Sequence, residues 1–108
     1  MSALAGNHVI IRVRDVFVAI AHLRAGSLQV AVGDDVTTGQ PLAECGNSGN
    51  STEPHVHLQV MDSEDLSVAR GVPMAFRNYR EKPRGEKQFA SRESGMPGEG
   101  AIVEPFER

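Results

Sequence analysis

Apolar and polar residues alternate along the first part of the chain with the period of two that is typical of β-strands. Residues 8–14 place two arginines on one face and three apolar residues on the other, namely Val9, Ile11 and Val13. Residues 16–23 form an apolar run rich in β-branched residues, and only Arg14-Asp15 separates the two segments. This spacing predicts a tight antiparallel hairpin.

Shorter segments with strong turn signals follow the hairpin. Residues 28–32 and 41–45 are candidate strands, bounded by glycine-containing turns. Residues 46–54 form a loop of small polar residues, and no segment shows a sustained helical period. The pattern predicts an all-β fold, an antiparallel β-sandwich of short strands.

The composition changes after residue 62. The chain is predicted to divide into a β core, residues 1–62, and an extension, residues 63–108. Residues 80–100 are charged and rich in Gly and Pro, which favours an irregular tail. Two segments of the extension are predicted to be strands, an edge strand at 72–79 that contains Pro73 and a short last strand at 101–103.

Two histidines lie two residues apart in residues 54–60, a segment that alternates like a strand. Side chains at i and i+2 leave the same face of a strand, about 7 Å apart. His55 and His57 are therefore expected on one face, with the opposite face turned to a core by Val56, Leu58 and Val60. Such a pair can offer one nitrogen to a metal ion and another to a metal-bound water, or can simply be two solvated surface histidines.

The other histidines and the cysteine have ordinary interpretations. His22 closes the apolar strand on the same face as Ile20, where a lone histidine is more often a core residue than a catalytic one. His8 stands at a strand start. Cys45 is most simply a small core residue, and a single cysteine allows neither an internal disulfide nor a cysteine-based zinc cage.

Composition excludes several classes of function. The 108 residues are enough for one small domain, and 40% hydrophobic residues suit a globular chain. A net charge of −3 gives no electrostatic footprint for nucleic acid. No apolar run is long enough for a membrane span, and residues 1–6 lack the features of a secretory signal.

Residues 32–43 are similar to the hairpin of biotinyl and lipoyl carrier domains. Those carriers need a lysine at an exposed turn, and the lysines of this chain, Lys82 and Lys87, both lie in the tail. The carrier function is therefore disfavoured. A phosphohistidine carrier that uses His22 or His57 is a weaker alternative.

Four segments occur in an order that points to one enzyme family. Gly6-Asn7 opens a Val-Ile-Ile strand, Ala21-His22-Leu23 follows, and then come the hairpin 32–42 and the run 46–57, Gly-Asn-Ser-Gly-Asn-Ser-Thr-Glu-Pro-His-Val-His. In this order, residues 6–62 resemble the catalytic core of the lysostaphin-type (β-lytic) zinc metalloendopeptidases, which cleave bacterial peptidoglycan.

The resemblance implies zinc as cofactor, peptidoglycan peptides as substrate, and a location in the cell envelope or outside the cell. It implies that His57 is a zinc ligand and that His55 is the general base for the metal-bound water. It implies that His22 orients this water or stabilises the tetrahedral oxyanion. It also places four loop residues beside the substrate, namely Asn47, Ser48, Asn50 and Ser51.

Two features depart from the family pattern. The family carries an upstream His-x-x-x-Asp sequence that supplies two further zinc ligands, and this chain contains no such sequence. Ile20 stands where the family commonly has tyrosine. The chain is therefore expected to be truncated, to bind zinc weakly where His22, His55 and His57 converge, and to be inactive or weak.

Two further expectations concern partners. A degenerate member of the family can be a non-catalytic module that binds the cell wall or a partner protein. A core without its first strands also has an unpaired sheet edge, which favours self-association.

Overall fold

In a computed structural model, residues 6–49, 52–65 and 67–106 are described, and they form six β-strands and no helix. The all-β class is confirmed. The strands are β1 (Asn7–Val13), β2 (Val16–Leu23), β3 (His57–Met61), β4 (Phe76–Lys82), β5 (Ala90–Gly95) and β6 (Ile102–Pro105). None of the described residues belongs to a helix that is long and apolar enough to cross a membrane. The chain divides between Val72 and Pro73 into two compact units, each with one three-stranded sheet.

The sheet of the first unit has the order β1-β2-β3, with both pairs antiparallel. The predicted hairpin is confirmed, since β1 and β2 pair directly across the turn at Arg14-Asp15. Arg14 takes the left-handed conformation there, with a φ of 57°. Such a φ is uncommon outside glycine and is a mark of a tight turn.

The register places apolar residues from all three strands together on one face of this sheet. Val18 pairs with Ile11 on one side and with Val60 on the other, and Ile20 likewise pairs with Leu58. Val56 and Leu58 are nevertheless 43% and 36% exposed, so the predicted burial of these two side chains is wrong. The physical reason is position: β3 is at the edge of the sheet and begins only at His57, so these side chains have strand neighbours on one side at most.

The most deeply buried residues of the first unit follow the other alternation. Ala19 and Ala21 are 1% and 2% exposed, and their partners on β3 are Gln59 and His57. Met61 at the end of β3 is completely buried. The tightest packing therefore lies on the face that also carries His57.

The predicted strands at 28–32 and 41–45 do not form. The two segments share an isolated hydrogen bond from the Gln29 amide to the Leu42 carbonyl, 2.8 Å long. Side-chain oxygens accept from one amide of each segment, Asp34 from the Ala31 amide and Ser27 from the Glu44 amide. Between the segments, Gln40 accepts from the Thr37 amide in the same way. Such local bonds compete with sheet pairing, which explains why short apolar stretches remain loops.

The first unit continues beyond residue 62. The amide of Val72 donates to the Val60 carbonyl, and the amide of Asp62 donates to the Arg70 carbonyl. An isolated antiparallel bridge joins Met61 and Gly71 at the same place. These contacts tie residues 62–72 to the end of β3.

The second unit corrects two expectations and confirms a third. Its sheet has the order β5-β4-β6, so β4 is the central strand rather than an edge strand, and Pro73 precedes it. The tail that was predicted to be irregular contains β5. Its charges did not prevent a strand, because they pair across the sheet, with Arg92 on Glu81 and Arg80 on Glu104. The predicted last strand is confirmed as β6.

Candidate active site

The candidate site lies at one end of the first sheet, where three predicted histidines meet. His22 is the last but one residue of β2, and His57 is the first residue of β3. His55 precedes β3 and forms an isolated bridge with Gly46, whose carbonyl accepts its amide at 3.1 Å. The predicted strand 54–60 therefore starts later than expected, at His57, and only one of the two histidines is part of its ladder.

A β-bulge decides where the ring of His22 lies. Between the pairs Val9–Ile20 and Asn7–Leu23, the register of β1 and β2 shifts by one residue. His22 has a φ of 63°, in the left-handed region. A bulge bends its strand and redirects a side chain.

The sequence alternation predicted that His22 shares a face with Ile20, and this is wrong. The His22 ring lies against the His57 ring, and His57 pairs with Ala21, the neighbour of His22 on the opposite alternation. The bulge supplies the extra residue that brings His22 to this face. His22 is 7% exposed there, while His57 is exposed and His55 is half-buried.

The three imidazoles form a compact group. The ring centroids of His22 and His55 are 4.6 Å apart with an interplanar angle of 42°, and those of His22 and His57 are 5.9 Å apart at 90°. One ring nitrogen from each histidine lies within 4.8 Å of the others. The structure thus brings together all three histidines singled out from the sequence. His8 is separate from this group, with its Nδ1 3.0 Å from the Gly6 carbonyl.

Two backbone carbonyls determine the tautomers of the rings. His22 Nδ1 is 2.7 Å from the carbonyl oxygen of Ser48, and His55 Nδ1 is 2.8 Å from that of Glu53. A carbonyl oxygen can only accept, so Nδ1 carries the proton in both rings. In the neutral rings, the lone pair is then on Nε2. This is the arrangement that a metal ligand or a general base needs.

Ser48 connects the start of β1 with the end of β2. Its hydroxyl donates to the Leu23 carbonyl at 2.6 Å and accepts from the Asn7 amide at 3.0 Å. A Cβ on Gly6 would overlap the backbone of Ser48 and Gly49, so the loop approaches as closely as glycine allows. Ser48 therefore holds the loop against the sheet at the point where its own carbonyl orients His22.

The other predicted residues have different positions. Asn47 is exposed on the same loop, and Asn50 and Ser51 lie outside the described residues. Cys45 is exposed, so its predicted core position is wrong. Its backbone forms an isolated bridge with Leu23, and its thiol lies 4.0 Å from the Gly46 carbonyl oxygen.

Sequence reasoning missed the parts of the site that the backbone provides. The carbonyls of Ser48 and Glu53 orient two of the three rings, and a carbonyl leaves no trace in a residue pattern. The glycines could have given a partial signal. Gly46 meets the backbone of Arg24 so closely that a Cβ there would overlap it.

The sequence model of Peptidase family M23 matches residues 1–69, more than half of the chain, including all three strands of the first sheet and the three clustered histidines. The chain belongs to peptidase family M23. The resemblance to lysostaphin-type peptidases is thereby confirmed, and the M23 family is one of metallopeptidases that are zinc-dependent in general. The second unit, Pro73–Arg108, lies entirely outside the matched range. No solved structure matches this M23 chain.

The residues of the candidate site are chemically suited to zinc. They do not, however, match the set of ligands that the resemblance implies. Of the ligands that the resemblance implies, the chain provides His57, and it has no His-x-x-x-Asp sequence. What it does offer is three imidazoles, and imidazole suits zinc well. Two nitrogens on one tetrahedral zinc ion lie roughly 3.3 Å apart. The nitrogens of the cluster lie within 4.8 Å of one another, a wider limit than that spacing.

Proposed function

We propose that this chain is a peptidoglycan-directed domain of the zinc metallopeptidase type, which acts in the cell envelope or outside the cell. The observation that carries the proposal is the convergence of His22, His55 and His57 within the part of the chain that matches the M23 family. The target is a peptide bond of the cell-wall stem or cross-bridge. In this assignment, His57 is a metal ligand, His55 is the general base and His22 assists the developing oxyanion.

The ring orientations support these roles for two of the histidines. His55 donates from Nδ1 to a backbone carbonyl, so Nε2 of the neutral ring can take a proton from an attacking water. His22 is oriented in the same way by Ser48, so its neutral ring orients a water through Nε2. To stabilise an oxyanion, the same ring must be an imidazolium that donates from Nε2. When bound, zinc supplies polarisation of the scissile carbonyl and a lowered pKa of its water.

The chain by itself is expected to hydrolyse peptidoglycan slowly or not at all. A catalytic zinc site normally has three protein ligands and one open position, and the implied pattern leaves His57 as the single such ligand in this chain. The same observation favours the second candidate function, a non-catalytic module that binds the cell wall. Binding and hydrolysis must therefore be measured separately.

The test uses purified peptidoglycan with added zinc chloride. Co-sedimentation measures binding, and the release of free amino groups measures hydrolysis, for the unchanged chain, for His55→Ala and for the control His8→Ala. We expect co-sedimentation with little or no amino-group release. Robust zinc-dependent release that His55→Ala abolishes and His8→Ala preserves would support the peptidase role and contradict the expected weakness. A chain that neither binds nor hydrolyses peptidoglycan overturns the proposal.

A further inference from the structure

The histidine cluster brings three possible imidazole ligands close together. One nitrogen from each ring lies within 4.8 Å of the others, and the three residues come from separate positions, the bulge in β2, the segment before β3 and the start of β3. Three imidazoles are enough to hold a zinc ion with one open position. A carboxylate is not required for such a site.

Two of the three rings make the kind of hydrogen bond that is usual for metal-binding histidines. A histidine that binds metal usually donates its other ring N–H to a carbonyl or carboxylate, which fixes the tautomer and the ring orientation. His22 does so to Ser48 and His55 does so to Glu53. In both rings, the nitrogen with the lone pair is therefore Nε2.

Exposure to solvent increases across the cluster from His22 to His57. His22 is 7% exposed and lies beside the well-packed end of β2, while His57 is exposed. An ion among the three rings would have protein on the His22 side and solvent on the His57 side.

From these observations we infer that His22, His55 and His57 together form a tri-histidine site for a divalent late transition metal such as zinc. The inference rests on the proposed function, since it concerns the metal of the same site, and it replaces the roles given there to His55 and His22. It differs from the pattern that the resemblance implies, in which only His57 of these three binds the metal. In this chain, the residues expected to act as general base and oxyanion partner are themselves ligands.

The consequence is a conflict between binding and catalysis. When Nε2 of His55 coordinates a metal ion, its lone pair can no longer accept a proton from water. The metal-loaded chain therefore binds its ion without having a free base. This explains in chemical terms why a chain with the recognisable cluster would be hydrolytically silent.

Calorimetric titration with zinc chloride tests the ligand set. The unchanged chain is compared with His22→Asn, His55→Ala and His57→Ala, and with His8→Ala as the matched control outside the cluster. We expect each of the three cluster variants to lose at least about tenfold in zinc affinity and His8→Ala to match the unchanged chain. A loss confined to His57→Ala, or no zinc binding by the unchanged chain, overturns the inference.

Two choices guard against mistaking a misfolded variant for the loss of a ligand. Asn is chosen at position 22 because it tolerates the left-handed backbone better than Ala. In addition, ¹⁵N-histidine spectra of the unchanged chain are recorded with and without zinc. Zinc should move ring-nitrogen signals of three histidines and leave those of His8 in place, whereas movement at a single histidine contradicts a tri-histidine site.

The two proposals can fail independently. A chain that binds zinc through three histidines but neither binds nor hydrolyses peptidoglycan refutes the function and keeps the site. A chain that sediments with peptidoglycan but shows no three-histidine signature refutes the site and keeps the function.

Discussion

At the residue scale, His22 combines a ring in the candidate site with an unfavourable backbone conformation. A left-handed conformation costs a residue other than glycine roughly 1–2 kcal/mol. Such strain persists where the surroundings determine the conformation. Here the carbonyl of His22 accepts the Gly46 amide at 3.0 Å, and its ring donates to Ser48. The bulge is thus held from the loop side by both the backbone and the side chain.

Replacing Ser48 tests how strongly the loop depends on its hydroxyl. Ser48→Ala removes the bond to the Leu23 carbonyl and leaves the Asn7 amide without its acceptor. We expect the free energy of unfolding to fall by about 1–2 kcal/mol, as measured by urea denaturation. Ser48→Thr retains a hydroxyl and serves as the control. Equal stability of Ser48→Ala and the unchanged chain would show that these two hydrogen bonds contribute nothing.

Two glycines allow two contributions to stability to be separated. One is the steric cost of a Cβ beside another backbone, and the other is the cost of a positive φ. Gly6 and Gly26 both have a positive φ, 63° and 75°. A Cβ on Gly26 would meet no atom within 4 Å, whereas one on Gly6 would overlap the backbone of Ser48. Gly26→Ala should therefore lower the free energy of unfolding by only about 1–2 kcal/mol.

Gly6→Ala should lower it by clearly more and should also disturb the orientation of His22. Thermal unfolding of both variants measures the difference, and ¹⁵N-histidine spectra report on the ring. If the two substitutions have the same effect, the contact between Gly6 and the loop is not a constraint on the site.

At the scale of elements, the sequence pattern predicted the features that depend only on residues close together in the chain. The β1–β2 hairpin follows from alternation and a two-residue turn, both visible in the sequence. The face of His22 did not follow, because a bulge inserts one residue and inverts the alternation after it. The strand β5 was missed because its charges find partners on β4, which is information about tertiary pairing rather than local composition.

Glu81 on β4 makes the second unit sensitive to acid. The Gly98 amide donates to Glu81 Oε2 at 2.8 Å, and Arg92 donates to Oε1 at 3.1 Å. These bonds, the backbone one foremost, hold the pKa of Glu81 below its ordinary value of 4.5. Because the pKa is lower in the folded state, the stabilisation is complete above the ordinary pKa and is lost as the pH falls through the folded pKa.

We therefore expect Glu81→Gln to flatten the loss of stability below pH 4.5. Chemical denaturation at a series of pH values measures this, with Tyr79 fluorescence as a probe within the same strand. Glu93→Gln on the exposed side of β5 is the control and should leave the profile unchanged. An identical pH dependence for Glu81→Gln and the unchanged chain would contradict this account.

At the scale of the whole molecule, the sequence resemblance and the structure agree on where the candidate site lies. The match to the M23 family covers β1 to β3 and all three clustered histidines, so fold class and candidate site could both be predicted from residues 6–62. The position of the three rings could not, since it depends on the bulge and on the carbonyls of Ser48 and Glu53. The sequence thus predicts which residues meet, whereas the orientation of their side chains is seen only in the structure.

The first sheet also carries the prediction of self-association. Among the described residues, β1 is an edge strand, and an edge strand has a row of backbone groups available for pairing. One face of this sheet is apolar across all three strands, and Val13 on β1 is 48% exposed on it. We therefore propose that the chain associates with a second copy through the edge of β1.

Val13→Lys should weaken this association, because a lysine on an edge strand opposes pairing with another strand. The matched control is Val32→Lys, since Val32 is at least as exposed but lies in a loop outside the sheet. Sedimentation velocity over a range of concentrations should show a dimer for the unchanged chain and for Val32→Lys, and a monomer for Val13→Lys. An unchanged chain that stays monomeric throughout refutes the role of the edge, and equal loss in both variants assigns the effect to charge alone.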